Sequence, residues 1–484
     1  MDLTVNRKQQ EDNAIHCREQ GIVLPTFAQM KDPSLIPEKI KDSLKDIGLW
    51  DVHPNNLFRI SWKNEPVTHG GGFGGVNYMV IPPELSGIPA KIIGLCGKWF
   101  PTGAHKVGAT YGCLAPQLVS GQFDPVHSRA VWPSTGNYCR GGAYVSALLG
   151  CQSIAILPED MSKERFEWLS KVAGEVIATH GCESNVKEIF DKCWELKANR
   201  TDVRIFNQFE EFGNPLWHYE VTGRAAEEAL RAEMKEDEHF AGSVFSSGSA
   251  GSLGCGYYLK EKFHKSYLGV AEAFQCPTLL QNGFGDHRIE GIGDKHIPFV
   301  HDLKNTDMVI AINDETVIRL MRLFNEPEGI AYLQSTGISS ELLSNLKMMG
   351  ISSIANMVAA IKMARYYELT EKDYVLTMFT DSMELYGSRL KELTEERGPY
   401  RELDAHRDFG QLVELGIGNM KELSYYDRKR IHNLKYFTWV EQQGRKTEEL
   451  NAQWFAHNTY WPDALKMAPE IDALIDEFND MAYG

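Results

Sequence analysis

A lysine behind a turn of small residues is the first place in this sequence where chemistry is legible. Gly97-Lys-Trp-Phe-Pro-Thr-Gly-Ala-His-Lys-Val-Gly108 follows an apolar run of strand length and enters a helix-like run over 109–119. At such a helix start Lys106 is placed to be held, desolvated and kept partly neutral, as a Schiff-base amine requires. The plainer alternative is a surface lysine on a helix face. A second stretch, Ser134-Thr-Gly-Asn-Tyr-Cys-Arg-Gly-Gly142, follows the strand-like run 130–132. Ser134, Thr135 and Gly136 bring hydroxyls and free amides to a helix start, where a carboxylate or phosphate binds. Asn137 is suited to donate to a phenolate-type oxygen. An N-cap with a turn would leave the same letters.

Two further cradles repeat the pattern. Ser246-Ser-Gly-Ser-Ala-Gly-Ser-Leu-Gly254 again has a strand before it and a helix after it. Gly248, Ser249, Ala250, Gly251 and Ser252 let backbone N–H groups converge on a phosphate. The stretch is not a P-loop, because no Lys-Ser/Thr pair closes it, and it lacks the G-x-G-x-x-G spacing of a dinucleotide site. Met349-Gly-Ile-Ser-Ser-Ile-Ala leads into an apolar helix, with Ser352 or Ser353 as a neutral partner for a ring nitrogen. Taken together, a tucked lysine and three small-residue cradles point to a phosphorylated, carbonyl-bearing aromatic cofactor. Pyridoxal 5'-phosphate has that chemistry. No Cys or His spacing points to a metal.

The elements that must position these residues alternate. Strand-like runs at 91–95, 130–132, 153–157, 176–179, 243–245, 267–270, 308–312 and 374–378 are separated by helical segments such as 163–172 and 215–235. The second helix is expected to start with Asn214 as its N-cap and Pro215 at its first position. Alternation of this kind predicts parallel strands with crossover helices, an α/β architecture whose ligands sit at the carboxyl ends of strands. Residues 1–60 read as a polar, Pro-punctuated arm with a helix near 35–46. From about 396 to 484 the chain turns Tyr-, Trp- and charge-rich and reads as a helical C-terminal extension.

Composition narrows the class further. The chain has 484 residues, 43% of them hydrophobic and 24% charged, which fits a folded globular protein. Its charge sum of 50 − 66 = −16 excludes nucleic acid as a general partner. The nine cysteines are scattered without a C-x-x-C pair, so a disulfide framework is not expected. The polar N-terminus MDLTVNRKQQEDNA has no apolar h-region, and no run is long enough to cross a membrane. These features predict a cytoplasmic protein with no membrane partner.

In order along the chain, the motifs resemble those of the fold-type II pyridoxal-phosphate enzymes: cysteine synthase, cystathionine β-synthase and tryptophan synthase β-chain. Thr102-Gly-Ala-His-Lys106 looks like the Schiff-base lysine motif, and Ser134-Thr-Gly-Asn137 like the loop that grips the substrate carboxylate and the cofactor's ring oxygen. Gly248-Ser-Ala-Gly-Ser252 is similar to the phosphate loop, with Ala250 in place of a usual glycine. Gly350-Ile-Ser-Ser353 resembles the segment whose serine meets the pyridine nitrogen, here assigned to Ser352. Gln208-Phe209 resembles a substrate-contacting segment, Glu290-Gly-Ile-Gly293 a loop facing the cofactor, and Thr380-Asp-Ser382 with Tyr386 the end of the catalytic core.

The resemblance covers about 91–389 and implies two open parallel-sheet domains of the tryptophan synthase β type, with the cofactor in the cleft between them. The expected boundaries are an arm at 1–60, lobes at 61–215 and 216–395, and the extension at 396–484, assembled as a homodimer. It also implies that Lys106 acts as Schiff-base lysine and general base. The reaction would be β-elimination to an aminoacrylate, then β-replacement or release, on a small amino-acid substrate held by Ser134, Thr135, Gly136 and Gln208. A serine/threonine ammonia-lyase, a threonine synthase, a β-subunit needing a partner chain and a catalytically silent scaffold stay open. Departures from the pattern at Tyr138-Cys139-Arg140 and Asp294-Lys295-His296 are expected to border the substrate's side chain, with Arg140, Asp294 and Lys295 hinting at a charged one. His69–Gly75 reads as a loop near the active-site mouth.

Overall fold

The computed structural model describes residues 1–65, 71–134 and 136–484. Thr135, His69 and Gly70, named above, lie outside the described residues. Among the described residues, eleven strands form two sheets: β1 (Tyr78–Ile81), β2 (Lys91–Cys96), β3 (Arg129–Pro133), β4 (Gln152–Pro158), β5 (Glu175–Thr179), β6 (Val203–Ile205), β7 (His239–Ser246), β8 (Tyr267–Ala273), β9 (Met308–Ile312), β10 (Asp373–Phe379) and β11 (Met420–Glu422). The smaller sheet has the order β5-β4-β3-β6 and is parallel throughout. The larger has the order β1-β2-β10-β7-β8-β9-β11. Its five inner strands are parallel, while β1 and β11 pair antiparallel at its two edges.

Each of the eight strand runs read from the sequence lies inside an observed strand. Central parallel strands are covered on both faces, so they appear as continuous apolar runs, as in Val-Ile-Ala of β9 and Val-Leu of β10. The strands not read from the sequence are β1, β6 and β11. They are short, and the last two carry charged residues.

The sheets divide the chain differently from the expected lobes at 61–215 and 216–395. β2 runs parallel to β10, and β1 pairs with β2, so both join the sheet built by the second half of the chain. The four-stranded sheet, residues 129–205, is inserted between β2 and β7. The segment 396–484 is helical apart from β11, which closes the far edge of the large sheet against β9. Residues 213–233 form one continuous helical stretch: Gly213–Trp217, a π-helical turn His218–Thr222, and Gly223–Glu233. Asn214 is therefore inside the helix and not its N-cap, and its side chain is used elsewhere.

The arm and the extension clasp the catalytic core. Helices Arg7–Glu19 and Ala468–Tyr483 pack on each other and on Lys106–Val119, the helix that opens with the candidate lysine. Asp472 accepts from the Phe27 and Ala28 amides at 2.6 and 3.0 Å. Asn479 exchanges two hydrogen bonds with the backbone of Leu24, at 3.1 and 2.9 Å. The Lys106 helix also packs closely against Gly213–Trp217. A Cβ at Gly108 would overlap the Trp217 indole, and one at Gly112 would press on the Gly213 carbonyl. Mid-helix glycine costs roughly 1 kcal/mol relative to alanine, and here it allows the two helices to touch. Among the described residues no helix is long and apolar enough to cross a membrane.

Phe478 is fully buried in the terminal helix. Phe478→Ala is expected to cost about 3–5 kcal/mol of unfolding free energy in a denaturant titration. An unchanged midpoint would show that the clasp is not part of the cooperative unit.

Candidate active site

Several strand ends and helix starts open onto one cavity. Its wall includes His105, Lys106, Ser134, Asn137, Tyr138, Val186, Gln208, Phe209, Ser246, Gly248, Ser249, Ala250, Ser252, Gly291, Gly293 and Thr380. Ser134 follows β3, Ser246 ends β7 and Thr380 follows β10, so both sheets contribute their carboxyl ends. Helices Lys106–Val119, Asn137–Leu148 and Leu253–Lys262 begin at this wall and bring free N–H groups and positive dipole ends to it.

Lys106 Nζ donates to Ser249 Oγ at 3.1 Å. Burial draws the amine down to about 8 from its ordinary value near 10.5, with weaker opposing influence from Cys113 and Glu183. The neighbouring histidines add to this dry setting. His105 stacks on Trp62 with ring centroids 5.7 Å apart and meets His218 edge-on at 4.9 Å. Burial holds both imidazoles well below their usual range, so neither brings charge to the lysine. His218 comes from the π-helical turn, a distortion that recurs at functional sites.

The loop 248–252 is braced from behind. Asn214 Nδ2 donates to Ser249 Oγ at 3.0 Å and to the Gln208 carbonyl at 2.9 Å. Gly251 lies against this side chain, and a Cβ there would overlap Asn214 Oδ1. Ala250 stands at φ 62°, in the left-handed region that favours glycine. The departure from glycine noted in the sequence is thus a strained residue. Thr102, in the turn before Lys106, has φ 69°.

Asn137 is tied to the loop after β10. Its Nδ2 donates to Asp381 Oδ2 at 2.7 Å, and Tyr386 donates to the same oxygen at 2.7 Å. Arg165 donates to the Tyr386 hydroxyl at 2.8 Å and pairs with Glu290 at 3.0 Å, while Arg389 takes the other Glu290 oxygen at 2.7 Å. Burial raises the Asp381 carboxyl, and Arg165, Asn137 and Tyr386 pull it back.

Most of the residues singled out from sequence converge. Lys106, Ser134, Asn137, Gln208, Gly248, Ser249, Ala250 and Ser252 all line the cavity. Gly136 and Gly251 stand beside the cavity and also make room, for the Arg165 guanidinium and for Asn214. Ser352 is one layer back. Its hydroxyl is buried with no hydrogen-bond partner among the described residues, 3.4 Å from where a Cβ on Gly291 would stand.

The charged departures do not border the cavity. Arg140 is buried between Trp50 and Trp168, and Lys295 and His296 line a separate groove with Phe284 and Phe437. Asp294 is buried and paired with His296 at 3.0 Å. Phe73, in the glycine-rich stretch, packs with the N-terminal segment around Leu44 and Phe58. Tyr138, one of the departures expected to border the substrate's side chain, lines the cavity, and Thr380 and Val186 reach it without having been singled out as site residues. Thr380 was legible only as part of a turn, and Arg165 only as one residue of the helix Lys163–Val172.

Comparison with known proteins then decides the family. Residues 100–353 match the model of the family described as pyridoxal-phosphate dependent enzyme. The chain belongs to that family. It is similar to cystathionine beta-synthase of Saccharomyces cerevisiae, at 26% identity over 313 residues that make up 63% of this chain and 58% of the yeast protein. It is 30% identical to cysteine synthase B of Campylobacter jejuni over 256 residues, 53% of this chain and 76% of that one. Among solved structures, the O-acetylserine dependent cystathionine beta-synthase from Helicobacter pylori superposes with a TM-score of 0.54 at 25% identity, covering 64% of this chain and 94% of that one. This chain is an enzyme, and pyridoxal 5'-phosphate is its cofactor. The cavity fits the cofactor: a desolvated amine, a loop of free amides at a helix start, and partnerless buried polar atoms at Asn137 Oδ1 and Ser352 Oγ.

Three outcomes follow from this geometry. Ala250→Gly, by relieving the left-handed backbone, is expected to raise the unfolding free energy of the apo-protein by about 0.5–1 kcal/mol; a loss would show that the alanine packs better than it strains. Between about pH 8 and the ordinary lysine range near 10.5, the folded chain holds fewer protons at Lys106 than the unfolded chain. This group's contribution to stability therefore rises with pH across that window. Cofactor loading of the apo-protein, which needs the neutral amine, is expected to speed up through pH 8; a midpoint near 10 would show the lysine is not desolvated.

Proposed function

We propose that this enzyme acts at the β-carbon of a small amino acid, by elimination or replacement of its β-substituent. The observation that carries the reading is the meeting, in one cavity, of Lys106, the amide loop 248–252 and Asn137. The bound pyridoxal phosphate supplies an electron sink for the pair released when the Cα proton leaves.

The chain's own groups do the rest. Lys106 Nζ anchors the cofactor and, once freed, takes the Cα proton as general base, a role its lowered basicity suits. The amides of Gly248, Ser249, Ala250, Gly251 and Ser252 hold the phosphate at the start of helix Leu253–Lys262. Ser134, Thr135 and Gly136 with Gln208 hold the substrate carboxylate and so orient the Cα–H bond. The Ser352 hydroxyl serves the ring nitrogen. A neutral hydroxyl there would leave that nitrogen without a strong proton donor, a setting suited to loss of a β-substituent. Val186 and Phe209 help exclude water. The cleft between the sheets bounds the two catalytic lobes, and the protein works in the cytoplasm as a homodimer. Exposed aromatic side chains at Phe284, Tyr426, Phe437 and Phe455 support self-association.

The test is the visible spectrum of the purified protein, with serine, cysteine and O-acetylserine added in turn. The wild-type chain is expected to show a cofactor band that Lys106→Ala abolishes. A new lasting band that decays only when a nucleophile is supplied marks replacement, and release of keto acid without one marks elimination. A chain that stays colourless with added pyridoxal phosphate overturns the reading.

A further inference from the structure

Behind Asn137 runs a hydrogen-bond chain whose direction is forced. A guanidinium has only donors, so Arg165 must donate to the Tyr386 hydroxyl, which it reaches at 2.8 Å. That hydroxyl turns its own proton onward to Asp381 Oδ2, at 2.7 Å. The same oxygen lies 2.7 Å from the Asn137 side chain. An ionised carboxylate oxygen has no proton to give, so an ionised Asp381 pairs with the amide through the amide's N–H, and Asn137 cannot present its carbonyl there. Its Oδ1, with no partner among the described residues, and its second N–H are left for the cavity side.

The anchor of the chain is equally determined. Arg165 is pinned by Glu290 at 3.0 Å, and Glu290 is held by Arg389 at 2.7 Å. Two glycines make room for the network: a Cβ at Gly136 would overlap the Arg165 guanidinium, and one at Gly350 would overlap Asp381 Oδ1. Asp381, Tyr386 and Arg165 are all fully buried.

We propose that Asp381 is a positioning residue that acts through Asn137, fixing which face of the Asn137 amide meets the cofactor. The inference rests on the pyridoxal-phosphate reading of the cavity and adds to it the group that sets the orientation of its asparagine. An ionised Asp381 can only accept. An asparagine in its place would either keep its carbonyl toward Tyr386 or, turned over at the cost of that bond, offer its own N–H to Asn137, so charge would no longer fix the sense of the amide.

The experiment titrates pyridoxal phosphate into the full-length apo-protein and reads both the dissociation constant and the position of the visible band. The proteins compared are the wild type, Asp381→Asn, Asn137→Ala and the double variant. Asp381→Asn is expected to weaken cofactor binding about tenfold, the size of one hydrogen bond to a charged group, and to move the band. In the Asn137→Ala background the same change is expected to add nothing further to either readout. Tyr386→Phe, which keeps the carboxylate and removes its fixed donor, is expected to follow in the same direction by a smaller factor. Thermal melting of each apo-variant separates folding from binding; if Asp381→Asn does not fold, Tyr386→Phe with and without Asn137→Ala decides the question. Equal losses in both Asn137 backgrounds, or a band that stays in place, would overturn the proposal while leaving the cofactor assignment intact. A wild-type chain that fails to take up pyridoxal phosphate would overturn both.

Discussion

An amine that must shed its proton near neutral pH needs a dry site, and the architecture around Lys106 follows from that requirement. Burial is the main cause of its lowered basicity, so anything that admits water to the base of the cavity would return the lysine to an ordinary cation. Trp62, His105 and His218 close that base with aromatic surface and, being neutral, add no charge. The glycine contacts at Gly108 and Gly112 bring Trp217 and its helix against the lysine helix without a gap. The same dryness makes the loop 248–252 effective, since amide dipoles act on an anion most strongly where water does not compete.

The opposite side of the cavity is built from charge. Arg165, Glu290, Asp381 and Arg389 form a continuous network that joins the asparagine loop of the four-stranded sheet to the loop after β10 and to the Gly291 loop of the seven-stranded sheet. Buried ion pairs bring little net stability, because desolvation offsets most of the Coulomb attraction, but removing one partner leaves an uncompensated charge. Such a network therefore serves geometry more than stability: it holds two sheets that share no strand pairing in one relative position across the cleft.

The central strands and the lysine, asparagine and phosphate loops were legible in the sequence because they depend on local signals. Doubly covered parallel strands are apolar without interruption, and loops that lend their amides to a ligand are rich in glycine and serine. What sequence could not reveal depends on long-range pairing. Nothing in Lys91–Cys96 says that its parallel partner is Asp373–Phe379, so the division of the sheets was out of reach. Arg165 looks like one more charge on an amphipathic helix. Nothing in the letters around Gly136 says that it also leaves space for that arginine, and Asn214 reads as a helix cap when it braces Ser249. Arg140 and Asp294 were conspicuous as departures, yet neither lines the cavity.

The clasp of terminal helices has a consequence for how the enzyme becomes competent. Leu24 and Asn479, which exchange hydrogen bonds, are separated by 455 positions in the chain. A contact of that span ties the two ends of the chain together over the helix bearing Lys106, whose outer face is packed by both terminal helices at once. Cover of the reactive helix is thus a property of the whole chain, and a chain whose ends are held apart would leave that face open to water.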